Sequence, residues 1–216
     1  MRRVAILGSG AVGEALANGF LKHGYEVMRG SRQPAKLHDW KAQAGPHASV
    51  GTFGDAARFG EIVVLAVKGT AAQAAVELCG AAQLAGKTVI DATNPIADAA
   101  PTNGVLPFFT GINDSLLEQL QREFPAVKFV KAFNSVGSAF MVNPDFAGGP
   151  ATMFICGNDA AAKQAVRGIV EQFGWEAADM GQAEAARAIE PLCMLWCIPG
   201  LLRGEWSHAF KLVKPV

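Results

Sequence analysis

A glycine-rich stretch near the start of the chain carries the first pattern that suits a specific chemistry. The sequence LGSGAVGEALANGF places Gly8, Gly10 and Gly13 after the apolar run VAIL and at the start of a helical pattern. Such a turn lets the backbone approach a pyrophosphate closely, and the following helix offers free N–H groups and the positive end of its dipole. The spacing predicts a phosphate-binding turn, and a tight glycine turn without a ligand is the alternative.

The residues after the next predicted strand indicate which dinucleotide this turn prefers. Arg32 lies nineteen residues beyond Gly13 and follows Ser31, at a position where a preference for NAD requires an acidic residue that binds the ribose 2′-hydroxyl. A hydroxyl and a guanidinium instead suit a 2′-phosphate, because both donate hydrogen bonds to it. Arg29 and Lys36 add positive charge nearby. We therefore predict NADP, with a solvated basic turn as the alternative.

Two further predicted strands end where the rest of such a cofactor would lie. The pattern EIVVLAVK ends in Ala66, Val67 and Lys68, beside the expected ribose and pyrophosphate. The pattern VIDATNP ends in Asn94 and Pro95, where the nicotinamide is expected. Small and apolar residues allow close approach there, and a carboxamide side chain is suited to fixing the nicotinamide ring. Lys68 is either a cofactor contact or a surface cation.

The sequence provides no convincing set of catalytic acids, bases or metal ligands. The histidines are scattered, at His23, His38, His47 and His208. Cys193 and Cys197 lie four apart among apolar residues, so we interpret them as core residues, with a redox or metal-binding pair as the alternative. Asp91 is a candidate buried acid on its strand. Hydride transfer between two flat heterocycles needs stacking and exclusion of water more than a protein acid, so this pattern favours that reaction.

The elements that must position these residues are short apolar runs that alternate with alanine-rich helical stretches. We predict strands at 3–7, 25–29, 61–67, 87–92, 127–133, 152–157 and 175–181. We predict helices at about 11–23, 69–83, 113–123, 135–142 and 159–173. The alternation predicts an α/β fold, a three-layer Rossmann domain with a doubly wound, mostly parallel sheet. The long irregular stretch 94–114 follows a strand end, which is where ligands bind in such sheets.

The composition limits the size of the protein and the class of its partners. The 216 residues suffice for one core, and 19 Lys and Arg balance 19 Asp and Glu, so no overall charge favours nucleic acid or an anionic membrane. We predict an NADP-binding domain at 1–182 and a helical extension at 183–216. We expect no secretory signal and no run near the ~20 apolar residues of a membrane span. These features predict a cytoplasmic protein with a small-molecule partner and no nucleic-acid or membrane partner.

Four stretches of the chain together resemble one protein family. The stretches RVAILGSGAVGEALANGFLKHGYEVMRGSR, VIDATNP, KAFNSVG and MFICGNDAAAKQAV are similar to the NADP-dependent oxidoreductases typified by the NADPH:coenzyme F420 oxidoreductases. The reductase domain of the membrane metalloreductases is similar too. The resemblance implies a homodimer of Rossmann domains with short C-terminal helical extensions. It also implies a flat second redox molecule, deazaflavin F420 or a flavin, that stacks on the nicotinamide.

The same resemblance assigns roles to individual residues. The pyrophosphate would lie on the turn formed by Gly8, Ser9, Gly10, Ala11, Val12 and Gly13. The 2′-phosphate would lie on Ser31 and Arg32. The acceptor would stack near Asn94, Pro95 and Ile96 and near 133–136, where Asn134 would hydrogen-bond a ring carbonyl or the nicotinamide carboxamide.

The expected function is therefore hydride transfer between NADP(H) and a flat heterocyclic acceptor, with no essential protein acid or base. Two alternatives stay open at this point. One is a flavin-dependent reductase of ferric or cupric complexes. The other is a sensor without catalytic activity that binds NADP(H) and reports the redox state to a partner.

Overall fold

A six-stranded parallel sheet forms the centre of the computed structural model, which describes residues 2–215. The strands are β1 (Arg3–Leu7), β2 (Glu26–Gly30), β3 (Ala48–Gly51), β4 (Ile62–Leu65), β5 (Thr88–Asp91) and β6 (Lys128–Lys131). Their order is β3-β2-β1-β4-β5-β6, so successive strands are added on one side of β1 up to β3 and on the other side from β4 onward. This is the strand order of a Rossmann domain, in which ligands bind at the carboxyl ends of the strands beside that change of side. The predicted fold class is confirmed.

Two further strands form a separate two-stranded sheet beside β6. These are β7 (Thr152–Ile155) and β8 (Glu176–Asp179), which pair with each other in parallel. The backbone N–H of Lys131 donates to the Cys156 carbonyl in an antiparallel bridge, which joins β6 to the end of β7.

Helices cover both faces of the sheet. They are α1 (Ala11–Lys22), α2 (His38–Gln43), α3 (Phe53–Phe59), α4 (Ala72–Cys79), α5 (Ala81–Leu84), α6 (Leu116–Glu123), α7 (Ala160–Gln172) and α8 (Ala186–Arg203). Val4 and Ile6 of β1 face the apolar layer that includes α1 and α7. Ala5 and Leu7 face the layer that includes α3, α4 and α6. Alternate residues are therefore buried on opposite faces, which explains why the strands are almost continuously apolar.

The predicted elements agree with the structure except in three places. The seven predicted strands are present with ends shifted by a few residues, whereas the prediction omits β3, α2 and α3. The predicted helix at 69–83 is interrupted at Gly80, whose φ is 82°. The predicted helix at 135–142 is wrong, since only Ser138–Phe140 form a helical turn. Phe133 before it has a φ of 63°, which directs the chain out of β6 as a loop.

The predicted irregular stretch after β5 contains a small β-hairpin. Ile96 pairs with Phe108 and Thr102 pairs with Val105, each in an antiparallel bridge. The turn at the tip has φ values of 49° at Asn103 and 79° at Gly104, the combination that a tight type I′ hairpin turn requires. A Cβ atom on Gly104 would lie 2.7 Å from Leu202 Cγ, so the tip packs closely against the end of α8.

The extension after residue 182 packs on the domain of its own chain. Its helix α8 buries Ala186, Ile189 and Trp196, although the stretch Ala183–Arg203 is long and apolar enough to cross a membrane by length and composition. The expectation that no run approaches such a span is therefore corrected. Beyond α8 the chain runs back along β7, where the Thr152 N–H donates to the Phe210 carbonyl.

Candidate functional site

The glycine-rich turn lies between β1 and α1, at the carboxyl edge of the sheet. Gly8 has a φ of 147°, and a Cβ atom there would lie 2.2 Å from the carbonyl oxygen of Ala66. A Cβ atom on Gly13 would lie 2.8 Å from the carbonyl oxygen of Gly8, whereas one on Gly10 would meet nothing within 4 Å. No side chain caps the N-terminus of α1. Gly8 and Gly13 thus serve close packing, while Gly10 and the free N–H groups face open space.

A first cleft of about 550 Å³ opens in front of this turn, beside the ends of β1, β2 and β4. It is lined by Gly8, Ser9, Gly10, Ser31, Arg32, Gln33, Lys36, Phe53, Ala66, Val67, Lys68, Ala71, Ala74, Ala75 and Leu78. Arg32 and Lys36 are exposed, and the Ser31 Oγ accepts a hydrogen bond from the Gln33 N–H at 3.1 Å. The Ser31 hydroxyl proton therefore stays available to an anion beside the two cations.

Arg29 does not add charge to the first cleft, which corrects that expectation. Its side chain is buried, with Nη1 3.2 Å from Glu14 Oε2 and Nη2 donating to the Gly10 carbonyl at 3.3 Å. The guanidinium lies 4.8 Å from the centre of the Trp40 ring. Burial lowers the pKa of Arg29 below its usual range, and Glu14 opposes that shift. Arg29 therefore supports the glycine-rich turn from inside the protein, through its hydrogen bond to the Gly10 carbonyl.

A second cleft of about 650 Å³ adjoins the first at Val67 and Lys68. It is lined by Val12, Val67, Lys68, Gly69, Ala92, Thr93, Asn94, Ile96, Ala97, Asp98, Ala99 and Ala100. Lys68 and Asp98 face each other, with Nζ 3.4 Å from Oδ1, and both side chains are mostly exposed. The remaining lining is small, apolar or uncharged, and the hairpin supplies one wall.

Most of the predicted site residues come together in these two clefts. The lining includes Gly8, Ser9, Gly10, Val12, Ser31, Arg32, Lys36, Ala66, Val67, Lys68, Asn94 and Ile96. Ala11, Gly13, Pro95 and Asn134 do not line either cleft. Gly13 and Pro95 are buried, and Ala11 faces outward on the first turn of α1. Sequence reasoning missed Phe53 and Asp98, because Phe53 follows the undetected strand β3 and Asp98 lies in a stretch without periodicity.

Asn134 is held by hydrogen bonds within the protein. Its Nδ2 donates to Asn94 Oδ1 and to the Ile189 carbonyl, each at 3.0 Å, and Asn94 Nδ2 donates to the Asn134 carbonyl at 2.8 Å. Backbone carbonyls only accept, so both amide orientations are determined. The Oδ1 of Asn134 is buried and accepts no hydrogen bond from the described residues. Both Nδ2 protons are used within the protein and Asn134 lines neither cleft, so the structure does not place this side chain to hydrogen-bond a ring carbonyl or the nicotinamide carboxamide.

Asp91, the candidate buried acid, is neutralised by an ion pair. The Nζ of Lys131 lies 2.7 Å from Asp91 Oδ2 and 2.9 Å from Glu190 Oε1, and all three residues are almost fully buried. Burial alone would lower the pKa of Lys131, but the two carboxylates outweigh it and raise the pKa above its ordinary value. Asp91 Oδ1 also accepts hydrogen bonds from the Thr93 N–H and hydroxyl. We conclude that Asp91 is a structural anion.

The two cysteines of α8 lie outside both clefts. Cys193 is buried and Cys197 partly buried. A hydrogen bond between the thiols, together with burial, raises the pKa of Cys193, and the same hydrogen bond lowers the pKa of Cys197. Within residues 2–215, no group of three His, Cys, Asp or Glu side chains is arranged to hold a metal ion.

Comparison with known proteins places this geometry in a family. Residues 3–95 match the family described as NADP oxidoreductase, coenzyme F420-dependent. The chain is 33% identical over 206 residues to the metalloreductase STEAP3 of Rattus norvegicus, an alignment that covers 93% of this chain. It spans only 39% of the rat protein.

Solved structures extend the comparison over the whole fold. A protein of Arthrobacter sp. FB24, which carries the provisional name F420-dependent NADP reductase, is 33% identical with a TM-score of 0.90, covering 98% of this chain and 99% of that one. The hypothetical protein SMa0349 of Sinorhizobium meliloti is 26% identical with a TM-score of 0.74, covering 100% and 97%. An imine reductase of Streptomyces aurantiacus, 20% identical with a TM-score of 0.68 over 93% of this chain and 63% of its own, shares the fold. The chain belongs to the family of NADP oxidoreductases described as coenzyme F420-dependent.

Proposed function

We propose that this protein transfers a hydride between NADP(H) and a flat heterocyclic acceptor, deazaflavin F420 or a flavin, as a homodimer in the cytoplasm. The observation that carries the proposal is the second cleft, which adjoins the first at Val67 and Lys68. Its lining is apolar or uncharged except for the exposed pair Lys68 and Asp98. Such a surface suits a planar ring, and the two titratable side chains in its lining are paired with each other.

The first cleft fits the adenosine end of NADP. The uncapped N–H groups of α1 and the open space at Gly10 suit the pyrophosphate. Arg32 and Lys36 suit the 2′-phosphate, with Ser31 as a further donor. Phe53 and Leu78 provide apolar surface for a base. The chemistry that the bound cofactor supplies is donation or acceptance of a hydride at its nicotinamide ring.

The protein's own contribution is orientation and exclusion of water. Val12, Ile96 and Ala97 form apolar walls of the second cleft, against which a ring pair would lie flat. Asn94 is fixed by its two hydrogen bonds with Asn134, so its position does not depend on a ligand. These walls select an acceptor by its flat shape, and the titratable side chains of the lining, Lys68 and Asp98, are paired with each other.

The acceptor panel is the decisive experiment. Stopped-flow absorbance would follow oxidation of NADPH with F420, FMN, riboflavin or no acceptor added. We expect faster oxidation with at least one of these rings. Tight NADPH binding with no turnover on any acceptor would contradict the proposal and favour a redox sensor.

The rat relative gives a reason to test one further acceptor. That protein is named a metalloreductase, and this chain is 33% identical to the part it matches. A ferric or cupric complex should therefore be added with and without a flavin. Metal reduction that needs the flavin would extend the proposed reaction by an electron transfer from the reduced flavin to the metal, whereas reduction without flavin would contradict a ring acceptor.

A further inference from the structure

A buried ion cluster lies beside the residues that line the second cleft. Lys131, at the end of β6, contacts Asp91 of β5 and Glu190 of α8 through its Nζ. The same Nζ donates to the Thr93 carbonyl at 2.9 Å. Thr93 and Asn94 line the second cleft, where the proposed function places the nicotinamide. The lysine therefore joins the backbone at the floor of this cleft to the C-terminal helix.

Glu190 is the member of the cluster that comes from outside the sheet. Its Oε2 accepts the Leu116 N–H and its Oε1 accepts the Leu117 N–H, both at 3.0 Å. These are free N–H groups of the first turn of α6, whose dipole favours an anion there. Glu190 is 1% exposed, so α6, α8 and β6 meet at one buried carboxylate, and Lys131 connects it to Asp91 of β5.

The neighbouring residue of α8 reaches the same cleft by a second route. The Ile189 carbonyl accepts a hydrogen bond from Asn134 Nδ2, which also donates to Asn94 Oδ1. Two consecutive residues of α8 therefore hold two consecutive residues of the cleft. Ile189 acts through Asn134 on Asn94, and Glu190 acts through Lys131 on Thr93.

We propose that Glu190, acting through Lys131, is a positioning residue that holds the cleft floor at Thr93 and Asn94 in the geometry the nicotinamide needs. The proposal rests on the proposed function for the place of the nicotinamide. A buried ion cluster is poor evidence for stability, because apolar residues of similar volume often serve as well. Its directed contacts instead fix one arrangement of the strand ends.

Glu118 offers a matched control for this proposal. It is also a buried carboxylate between α6 and α8, since it accepts hydrogen bonds from Arg187 of α8 at 2.6 to 3.2 Å and from the Ser115 hydroxyl. It makes no contact with Lys131 among its hydrogen bonds and ion pairs. Loss of its charge therefore weakens the packing of α6 on α8 without releasing the lysine.

The test compares the variants Glu190→Gln and Glu118→Gln by calorimetric titration with NADP⁺ and with 2′,5′-ADP, which lacks the nicotinamide. Glu190→Gln leaves the neutral pair of Asp91 and Lys131, so we expect a folded protein. We expect it to bind NADP⁺ about tenfold more weakly and 2′,5′-ADP within about twofold of the unaltered protein. The value of kcat with the best acceptor should fall by a similar factor, since small misplacements of reacting groups are costly. Glu118→Gln should change neither ligand's affinity.

The proposal is wrong if Glu190→Gln weakens both ligands equally, or if Glu118→Gln gives the same selective loss. It is also wrong if the unaltered protein binds NADP⁺ no more tightly than 2′,5′-ADP, because the second cleft then does not hold the nicotinamide. Should Glu190→Gln fail to fold, Glu190→Asp keeps the charge on a shorter side chain and must show the same selective loss. Failure of the proposed function is a separate result, because it shows as absence of turnover while the binding contrast remains measurable.

Discussion

At the residue scale, Arg32 is the side chain on which the preference for NADP depends most directly. It is exposed at the rim of the first cleft, whose lining also includes the cations Lys36 and Lys68. We expect Arg32→Ala to weaken NADPH binding by about 1.5 to 3 kcal/mol, the range for a hydrogen bond to a charged group, and to leave NADH nearly unchanged. Fluorescence titration measures both. Arg203→Ala, an exposed cation outside both clefts, should change neither, and equal losses for the two cofactors would exclude contact with the 2′-phosphate.

The glycines of the turn differ in what each one permits. An alanine at Gly8 meets the Ala66 carbonyl oxygen at 2.2 Å with a φ of 147°, so we expect Gly8→Ala to destabilise the fold by at least ~2 kcal/mol. Gly10→Ala meets open space, so its melting temperature should stay near that of the unaltered protein. Its methyl group nevertheless occupies the approach of the pyrophosphate, and NADPH binding should weaken at least tenfold. Thermal unfolding and NADPH titration of both variants test this difference between Gly8 and Gly10. A lowered melting temperature of Gly10→Ala would contradict it.

The ion pair at the second cleft should select acceptors by charge. Lys68 and Asp98 are mostly exposed, so their contact is screened by solvent and weak. Removing the carboxylate with Asp98→Asn frees Lys68 for an anionic acceptor. We expect kcat/KM for FMN relative to riboflavin to rise about two- to threefold and the gain to fade at high salt. The exposed control Glu123→Gln should leave the ratio unchanged, and an unchanged ratio in Asp98→Asn would place the FMN phosphate elsewhere.

At the scale of elements, the hairpin links the acceptor wall to the C-terminal helix. Its tip at Gly104 packs on Leu202, whereas its stem places Ile96 and Ala97 in the second cleft. Leu202→Ala removes that contact. Hydrogen exchange of the backbone N–H groups of Ala97 and Phe109 should then accelerate about fivefold, equivalent to ~1 kcal/mol, and the KM for the acceptor should rise.

Leu201→Ala serves as the control for the hairpin, because Leu201 is also an exposed leucine of α8 but is not among the atoms nearest to Gly104. Hydrogen exchange in the hairpin should be unchanged in Leu201→Ala. Mass spectrometry of the hairpin peptides distinguishes this variant from Leu202→Ala. If both variants loosen the hairpin equally, general fraying of α8 rather than the Leu202 contact is responsible.

Periodicity and spacing predicted the elements whose residue pattern follows directly from burial or from a tight glycine turn. Strands such as β4 are apolar throughout because both faces are buried, and the glycine pattern marks the turn at β1. The strand β3 and the hairpin escaped prediction because their conformations depend on pairing with distant or adjacent backbone, which leaves no apolar period. The roles of Arg29 and Asn134 escaped for a similar reason, since both side chains are engaged by partners that only the fold brings near.

At the scale of the whole molecule, the sheet and the C-terminal helix α8 are joined by one polar interface, which we call the seam. Both clefts open at the carboxyl edge of the sheet, and the chain beyond α8 hydrogen-bonds to β7. Buried polar groups are concentrated along this seam, namely Asp91, Lys131, Asn134, Ser115, Glu118 and Glu190. Lys131 lies beside Asp91 and Glu190, and Glu118 lies beside Arg187. The free energy of unfolding should therefore depend on pH through the buried ionisable groups of the molecule.

Three of the buried groups lower the free energy of unfolding as the pH rises above 9. Burial raises the pKa of the Cys79 and Cys156 thiols from 9.0 to about 12, so both stay protonated in the folded chain but ionise in the unfolded chain above pH 9. Their stabilisation is complete below pH 9 and is lost as the pH rises toward 12. Lys131, whose pKa is raised, adds a loss that begins only above 10.5.

We therefore expect the free energy of unfolding, measured by urea titration, to fall from about pH 9 to about pH 10.5 by up to ~1.4 kcal/mol per pH unit for each of Cys79 and Cys156. The double variant Cys79→Ala with Cys156→Ala is less stable at neutral pH, because it leaves two small cavities, and its slope over that interval should be shallower than that of the unaltered protein. The Cys193 thiol, whose pKa is also raised, keeps part of the slope in the double variant, whereas an undiminished slope would assign the alkaline loss to groups other than Cys79 and Cys156. Glu190→Gln should keep the slope below pH 10.5 and make it shallower above, because Lys131 with one carboxylate instead of two loses its proton in the folded chain at a lower pH.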